Sequence, residues 1–434
     1  MATTLTSQTI TNEALLQFEN YLVVAKHADW SYSKEFDKTS KIGQTKYIRR
    51  PVLAQVQINN LAYPTAATAG AIAETQVALQ VGTTLTVPMT FSDTDMTFRI
   101  QDFSKQFITT VVEQMAAYFD LSICDAVSNA GVNYFNQGAI QLGSGATAPQ
   151  YSGASGWCVG DYGTAITSDT LLNAKQLLDD SACPKSDRYG VLTPLAMRQI
   201  ANAQITLYNN QQKIGKIYDS GELTGFANIA WGESQSCANH TNGTQATLAV
   251  GAGTPVLTTG WAETGSLTVT ATTGAIKAGD KFTVAGVYWV NPLTQAQTSN
   301  LIQFTAIADC AIGVTTVPVS PSPITGGAYR NCSTTPASKT ATLKGSINAT
   351  GQESFVFGKK AIALAAPELE TPQGKDRSAF VRSDDTGIAV RYIREYDSIG
   401  AAPGSSGAPG WVTRLDLFYG CKIVRPEWVV TIRN

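Results

Sequence analysis

Arg99–Gly131 reads RIQDFSKQFITTVVEQMAAYFDLSICDAVSNAG. Within it Ile100, Phe103, Phe107, Val111, Met115, Phe119, Ile123 and Ala126 recur every three or four residues. That spacing puts one apolar stripe on an α-helix of roughly 25 residues, about 40 Å long. Asp102 or Ser104 can cap its start, and Gly131 follows its end. Phe103, Phe107, Val111, Met115, Phe119 and Ile123 are the expected core contacts of this spine. The flanking sequence is rich in strand patterns, so a helix this long is the element on which the others are laid.

Upstream, the periodicity is two rather than 3.6. Val77, Leu79 and Val81 alternate with polar residues, and Leu85, Val87, Met89 and Phe91 keep the parity. Pro64 and the Ala/Thr-rich tract 66–73 mark the tip of a long loop between strands. Residues 41–98 thus read as an extended loop with flanking strands, and 1–40 as an N-terminal arm. Downstream, residues 99–232 carry the spine and a mixed core. In that core Ser168 is expected to cap one short helix and Thr193–Pro194 to start another.

Composition changes sharply at Glu233. Between 233 and 350 lie only nine of the chain's 31 basic and 33 acidic residues. Short Thr/Val/Ala alternations separated by Gly turns predict a small β-barrel or sandwich inserted into the core, whose strands return over 351–434. Overall 15% of the 434 residues are charged, against about 25% in ordinary soluble domains. Either much of the surface meets neighbours, or the protein has neutral extracellular faces.

The net charge of −2 argues against a dedicated nucleic-acid binder. No apolar run reaches membrane-spanning length, and Met1–Gln8 lacks the basic start and apolar stretch of a secretory signal. Seven scattered cysteines without a CxxC read as reduced thiols.

Chemistry is sparse. His27 and His240 are the only histidines, and Cys237-x2-His240 lacks a second ligand pair. No nucleophile–base or cofactor motif is present, so no catalytic, cofactor or metal residues are assigned and no enzyme is expected. Lys41, Lys46, Arg49 and Arg50 form a basic cluster expected to pair with neighbouring subunits, with weak contact to nucleic acid as the alternative.

Two local sequences give the arrangement a family likeness. Residues 271–287, ATTGAIKAGDKFTVAGV, carry turn positions Gly274, Gly279, Asp280 and Gly286. Near the C-terminus stands Tyr419–Gly420, followed by Arg425–Pro426–Glu427. Both resemble motifs of the P22-like coat proteins of tailed double-stranded-DNA bacteriophages, as does the order of arm, loop, spine, core and insert. The resemblance implies an α+β, HK97-type capsid fold with N-arm, extended E-loop, long spine helix, peripheral and axial domains, and an inserted small β-barrel. It further implies a major capsid protein whose copies tile an icosahedral shell of hexamers and pentamers in the host bacterial cytoplasm. That shell starts as a procapsid guided by a scaffolding protein and expands on maturation around packaged dsDNA. A portal protein would occupy one vertex, and a decoration protein is compatible with the plan, whereas a membrane is not part of it. Two other readings share features with the sequence: a secreted or surface-layer β-rich adhesin, and an encapsulin-like nanocompartment shell.

Overall fold

The periodic stretch folds as the helix Thr109–Ser128 (α2), which packs against a helix of the arm, Ser7–Tyr21 (α1). The computed structural model describes residues 7–36, 45–54, 74–92, 108–128, 157–207, 226–258, 260–370, 378–383, 386–397 and 410–434. Two shorter helices, Ser168–Asp180 (α3) and Pro194–Leu207 (α4), complete the α-helical content of these residues, with short 3-10 turns between elements, and strands dominate the rest. The class is α+β, as the family resemblance implies.

Along α2, Val112, Met115, Phe119 and Ile123 are buried, while Val111 is half-buried at the edge of the same core. Phe103 and Phe107 lie outside the described residues. The buried face is therefore centred on Val112 rather than Val111. The cause is a wide contact: α1 covers one flank, and strands Thr83–Ser92 and Gly410–Ile423 cover the other. Phe119 is the hub, 5.9 Å from Phe18, 6.1 Å from Trp30 and 4.7 Å edge-on to Tyr419, centroid to centroid. Arm, spine and the strand Gly410–Ile423 thus share one aromatic cluster.

A polar clasp holds the arm to the spine. The buried Asp120 carboxylate accepts backbone N–H groups from Val23 (2.8 Å), Val24 (3.2 Å) and Ala25 (3.1 Å), where the chain turns after α1. Burial raises its pKa to about 6, and the three N–H donors limit the rise.

Two sheets form the body. In one, Gly410–Ile423 runs antiparallel between Ala389–Asp397 and Thr83–Ser92, with Ser378–Arg382 outermost and Ile362–Ala365 on the far end. The central sheet has the order Trp157–Gly160, Val429–Arg433, Thr350–Gly358, Arg188–Leu192, Ala230–Glu233. A two-stranded ribbon, Thr45–Arg49 with Gln76–Gln80, stands at the base of the long loop. Ile48, Val77 and Leu79 root it in a second apolar cluster with Ala363, Ala365 and Val424.

The charge-poor region forms a third, all-antiparallel sheet. Its six strands run Thr247–Ala249, Thr340–Leu343, Lys281–Val290, Gln297–Ala306, Thr316–Ser320, Gly265–Thr268. A bridge between Val250 and Val269 joins the two outer strands and closes the ring, which leaves no free sheet edge. Alternate residues, among them Leu267, Phe282, Val284, Phe304 and Val317, fill its interior. Local signals also match their elements, with one shift. Thr193 Oγ1 caps α4 by accepting from the Ala196 N–H at 3.1 Å. In α3 the capping box uses Thr167 with Thr170, one residue before the expected Ser168.

Two outcomes test this account. Val112→Asp should abolish soluble folding, because it buries an unpaired charge, whereas Val111→Asp should leave measurable folded protein; soluble yield and tryptophan fluorescence separate them. Asp120 has a folded pKa near 6, above the ordinary 3.8. Its contribution is therefore complete at low pH and is lost as pH rises through about 6. Between pH 4 and 7 the stability of Asp120→Asn relative to the parent should rise by about 2–3 kcal/mol, read by urea unfolding; a pH-independent difference would refute the assignment.

Candidate functional site between the barrel and the central sheet

Arg433 and Glu353 are the only charged residues of two adjacent antiparallel strands, VVTIR and TGQESFVFG. Both side chains are 1% exposed or less. A charge in a strand covered on both faces must find partners inside the protein, and these two find each other at 2.7 Å.

Their remaining valences reach every surrounding part. Glu353 accepts from Tyr162 Oη (2.8 Å) and from Ser128 Oγ (2.6 Å) at the end of α2. Arg433 donates to Asn242 Oδ1 (3.0 Å) and to the carbonyls of Lys344 (3.0 Å) and Gly279 (3.3 Å), with its guanidinium over the Tyr162 ring at 4.8 Å. Lys281, the first residue of a barrel strand, is fully buried in the same charge field. Burial alone would raise the Glu353 pKa, but Lys281, Arg433, His240 and the Ser128 hydroxyl outweigh it and hold the carboxyl far below its usual range. Burial pushes Lys281 down, against the pull of Glu353. Among the described residues Lys281 Nζ has no hydrogen-bond partner.

Asp280 organises the barrel side of the junction. It is fully buried and accepts the N–H groups of Gly243 (3.1 Å) and Lys277 (2.8 Å), with His240 Nε2 at 3.2 Å. The preceding Gly279 has φ +94°, a conformation that favours glycine, and this turn delivers the Gly279 carbonyl to Arg433. Gly274 passes against the Thr244 backbone, and Gly286 sits with φ +70° at an irregular register of its strand.

Further contacts fasten the barrel to the sheet. The Gln303 carboxamide pairs with both backbone groups of Cys158, at 2.7 and 3.0 Å, so it extends the outer strand as a backbone amide would. Trp289 meets Trp157 edge-to-face at 4.7 Å, and Asn300 donates to Asp180 at 2.6 Å. Lys422 pairs with Glu263 at 2.9 Å.

The C-terminal motif divides between two sites. Tyr419 packs on the spine, and Gly420 is needed because a Cβ there would collide with the Gln80 carbonyl. Pro426 opens a 3-10 turn before the last strand, Arg425 stacks on Trp428 at 3.9 Å, and Glu427 binds Arg50. Arg50 also covers Trp261 at 4.3 Å. Lys46 pairs with Glu35 at 2.7 Å and Arg49 with Glu74 at 3.5 Å. The basic cluster is therefore engaged within the chain at Lys46, Arg49 and Arg50, while Lys41 lies outside the described residues.

Sequence reasoning passed over Arg433, Glu353, Lys281, Gln303 and Asp120. At Arg433 and Asp120 the available signal was an isolated charge inside an apolar run; Glu353 beside Gln352 and Ser354, Lys281 beside Asp280, and Gln303 carried none. The chemistry of the junction is structural: it neutralises and orients, and the described residues contain no cluster of three or more His, Cys, Asp or Glu able to hold a metal.

A family model described as "P22 coat protein – gene protein 5" matches residues 1–431. No curated protein matches the sequence. Similar solved structures include a chain of Mycobacterium phage Che8, 11% identical with TM-score 0.45, covering 95% of this chain and 90% of that one. The capsid of Ralstonia phage GP4 is 7% identical with TM-score 0.43, covering 90% and 83%. The CUS-3 coat protein I-domain is 24% identical with TM-score 0.19, covering 23% of this chain and 96% of that one.

Removing one partner of the buried pair should cost about 3–5 kcal/mol, because the other charge stays buried. Glu353→Gln and Arg433→Met are each expected to show that loss in urea unfolding. Lys281→Met should cost less, since its amine has no hydrogen-bond partner among the described residues. An equal or larger loss at Lys281 would contradict this ranking.

Proposed function

The chain belongs to the P22 coat protein family, the shell-forming major capsid proteins of tailed phages, and we propose that it works through the HK97-type plan of assembly. In this reading a scaffolding protein guides copies into a procapsid of hexamers and pentamers in the host cytoplasm. The shell carries a portal at one vertex and expands as the duplex genome enters. Residues 41–98 form the E-loop that lies over a neighbouring subunit, and the spine, about 102–129, bends during expansion. Residues 233–350 are an inserted domain that steadies the monomer.

The observation that carries this reading is the order of arm, ribbon, spine and sheets in a chain whose family match spans 1–431. The ribbon Thr45–Arg49 with Gln76–Gln80 gives the E-loop a rooted base: apolar side chains pack beneath it, and Arg50 is clamped between Trp261 and Glu427. The junction supports the bracing role, because Arg433 ties the barrel turns to the central sheet. A secreted or surface-layer role fits less well, since all seven cysteines are buried free thiols. Shell contacts would each be modest and collectively strong, so a misplaced subunit can leave before closure.

Purified chain mixed with its scaffolding partner should form uniform closed shells in negative-stain images, with a matching rise in light scattering. A subunit that stays monomeric under every condition would overturn the proposal.

A further inference from the structure

With Lys46, Arg49 and Arg50 engaged by carboxylates of their own subunit, the cations left over lie elsewhere. Lys26, Lys185, Lys359 and Lys360 are exposed. Among the described residues none of them has a carboxylate within ion-pair distance.

These lysines come from turns that meet at one place. The Lys359 N–H donates to the Asp187 carbonyl at 3.0 Å, which joins the turn Lys359–Ala361 to the turn 183–187. His27, in the turn Ala25–His27, stacks on Tyr189 at 4.0 Å, and Asn228 donates to the Lys185 carbonyl at 3.1 Å. Lys359 and Lys360 line a depression with Ser186 and Asp187, and Lys185 and Asp187 line the groove that continues from it. Among the described residues Asp187 is the one carboxylate lining either. Arg188 beside it is taken up by Asp179 at 2.8 Å. Burial, then Lys26 and Lys359, push the His27 pKa down, consistent with uncompensated positive charge around the ring.

We propose that Lys26, Lys185, Lys359 and Lys360 form the surface on which the subunit meets a nucleic-acid backbone, that of the packaged duplex. The inference rests on the capsid reading given above. Ammonium groups on separate turns suit phosphates as point charges and read no bases. His27 stacks on Tyr189, and Arg425 stacks on Trp428. A face of each of these rings is taken, and Phe226 is the one other aromatic residue lining the groove among the described residues, too little platform for a run of unpaired bases, which favours duplex over single strand.

The test uses full-length protein and a labelled short DNA duplex of mixed sequence, with binding followed by anisotropy over a salt series. Lys185→Ala/Lys359→Ala/Lys360→Ala should flatten the slope of log affinity against log salt by about 2–3, at roughly 0.9 for each phosphate that is no longer neutralised. Lys175→Ala/Arg198→Ala/Lys339→Ala removes the same charge elsewhere and should leave the slope near the parent's. Equal slopes for the two triple variants would overturn the assignment. So would a patch variant that binds duplex normally but no longer assembles with the scaffolding partner, since the surface would then dock protein. Failure of the parent chain itself to form shells would instead count against the capsid reading, independently of the slopes.

Discussion

The Arg433–Glu353 ion pair is the constraint around which the subunit is arranged. Two charges taken from water into a protein core are tolerated only when their remaining hydrogen-bonding positions are filled. Here the filling groups come from the spine's end, the segment after the outer strand, and three separate turns of the barrel side. An apolar core of the same volume would be about as stable, and often more so. It would not dictate position, because apolar contacts tolerate sliding and hydrogen bonds do not. The pair therefore works as a locating pin. Its value lies in making one relative placement of spine, sheet and barrel better than all near alternatives.

Asp120 applies the same logic midway along the spine. A carboxylate on a helix face would ordinarily be an error in a core, yet here it replaces the hydrogen bonds that the turn 23–25 could not make with its own backbone. Spine charges and hydroxyls thus do the joining, while Phe119 and its neighbours supply the burial. Ser128, eight residues along from Asp120, binds Glu353 and links the clasp to the pin.

The elements made by repetition were legible in the sequence. A 3.6-residue stripe, strand parity at Val77, Leu79 and Val81, and dense Gly turns in a charge-poor stretch each report a local rule that the chain obeys many times over. The offset from Val111 to Val112 shows the limit of that method. Periodicity gives the direction of a face, and the width of that face depends on what packs against both sides of it. The junction was legible in fragments. Asp280 and Lys281 stood together at a turn, but Glu353 and Arg433, their partners in the charge cluster, come from strands far away in sequence. Gln303 is invisible in principle, since a carboxamide imitating a strand looks like any polar residue at an outward position.

The order of the central sheet has a consequence for synthesis. The strand Val429–Arg433 lies between Trp157–Gly160 and Thr350–Gly358, and Thr431 bonds to Trp157 across a separation of 274 residues. Pairings that distant close slowly, since the loop entropy must be met before the pairing rewards it. A growing chain therefore carries Trp157–Gly160 apart from the other three strands of this sheet until the strand Val429–Arg433 leaves the ribosome. By then Gln303 has already been made and can cover the outer side of Cys158. The half-built sheet is thus shielded on its outer side while its inner gap waits. A truncated chain cannot present the finished surface, so the order of translation itself screens which molecules are competent to join their neighbours.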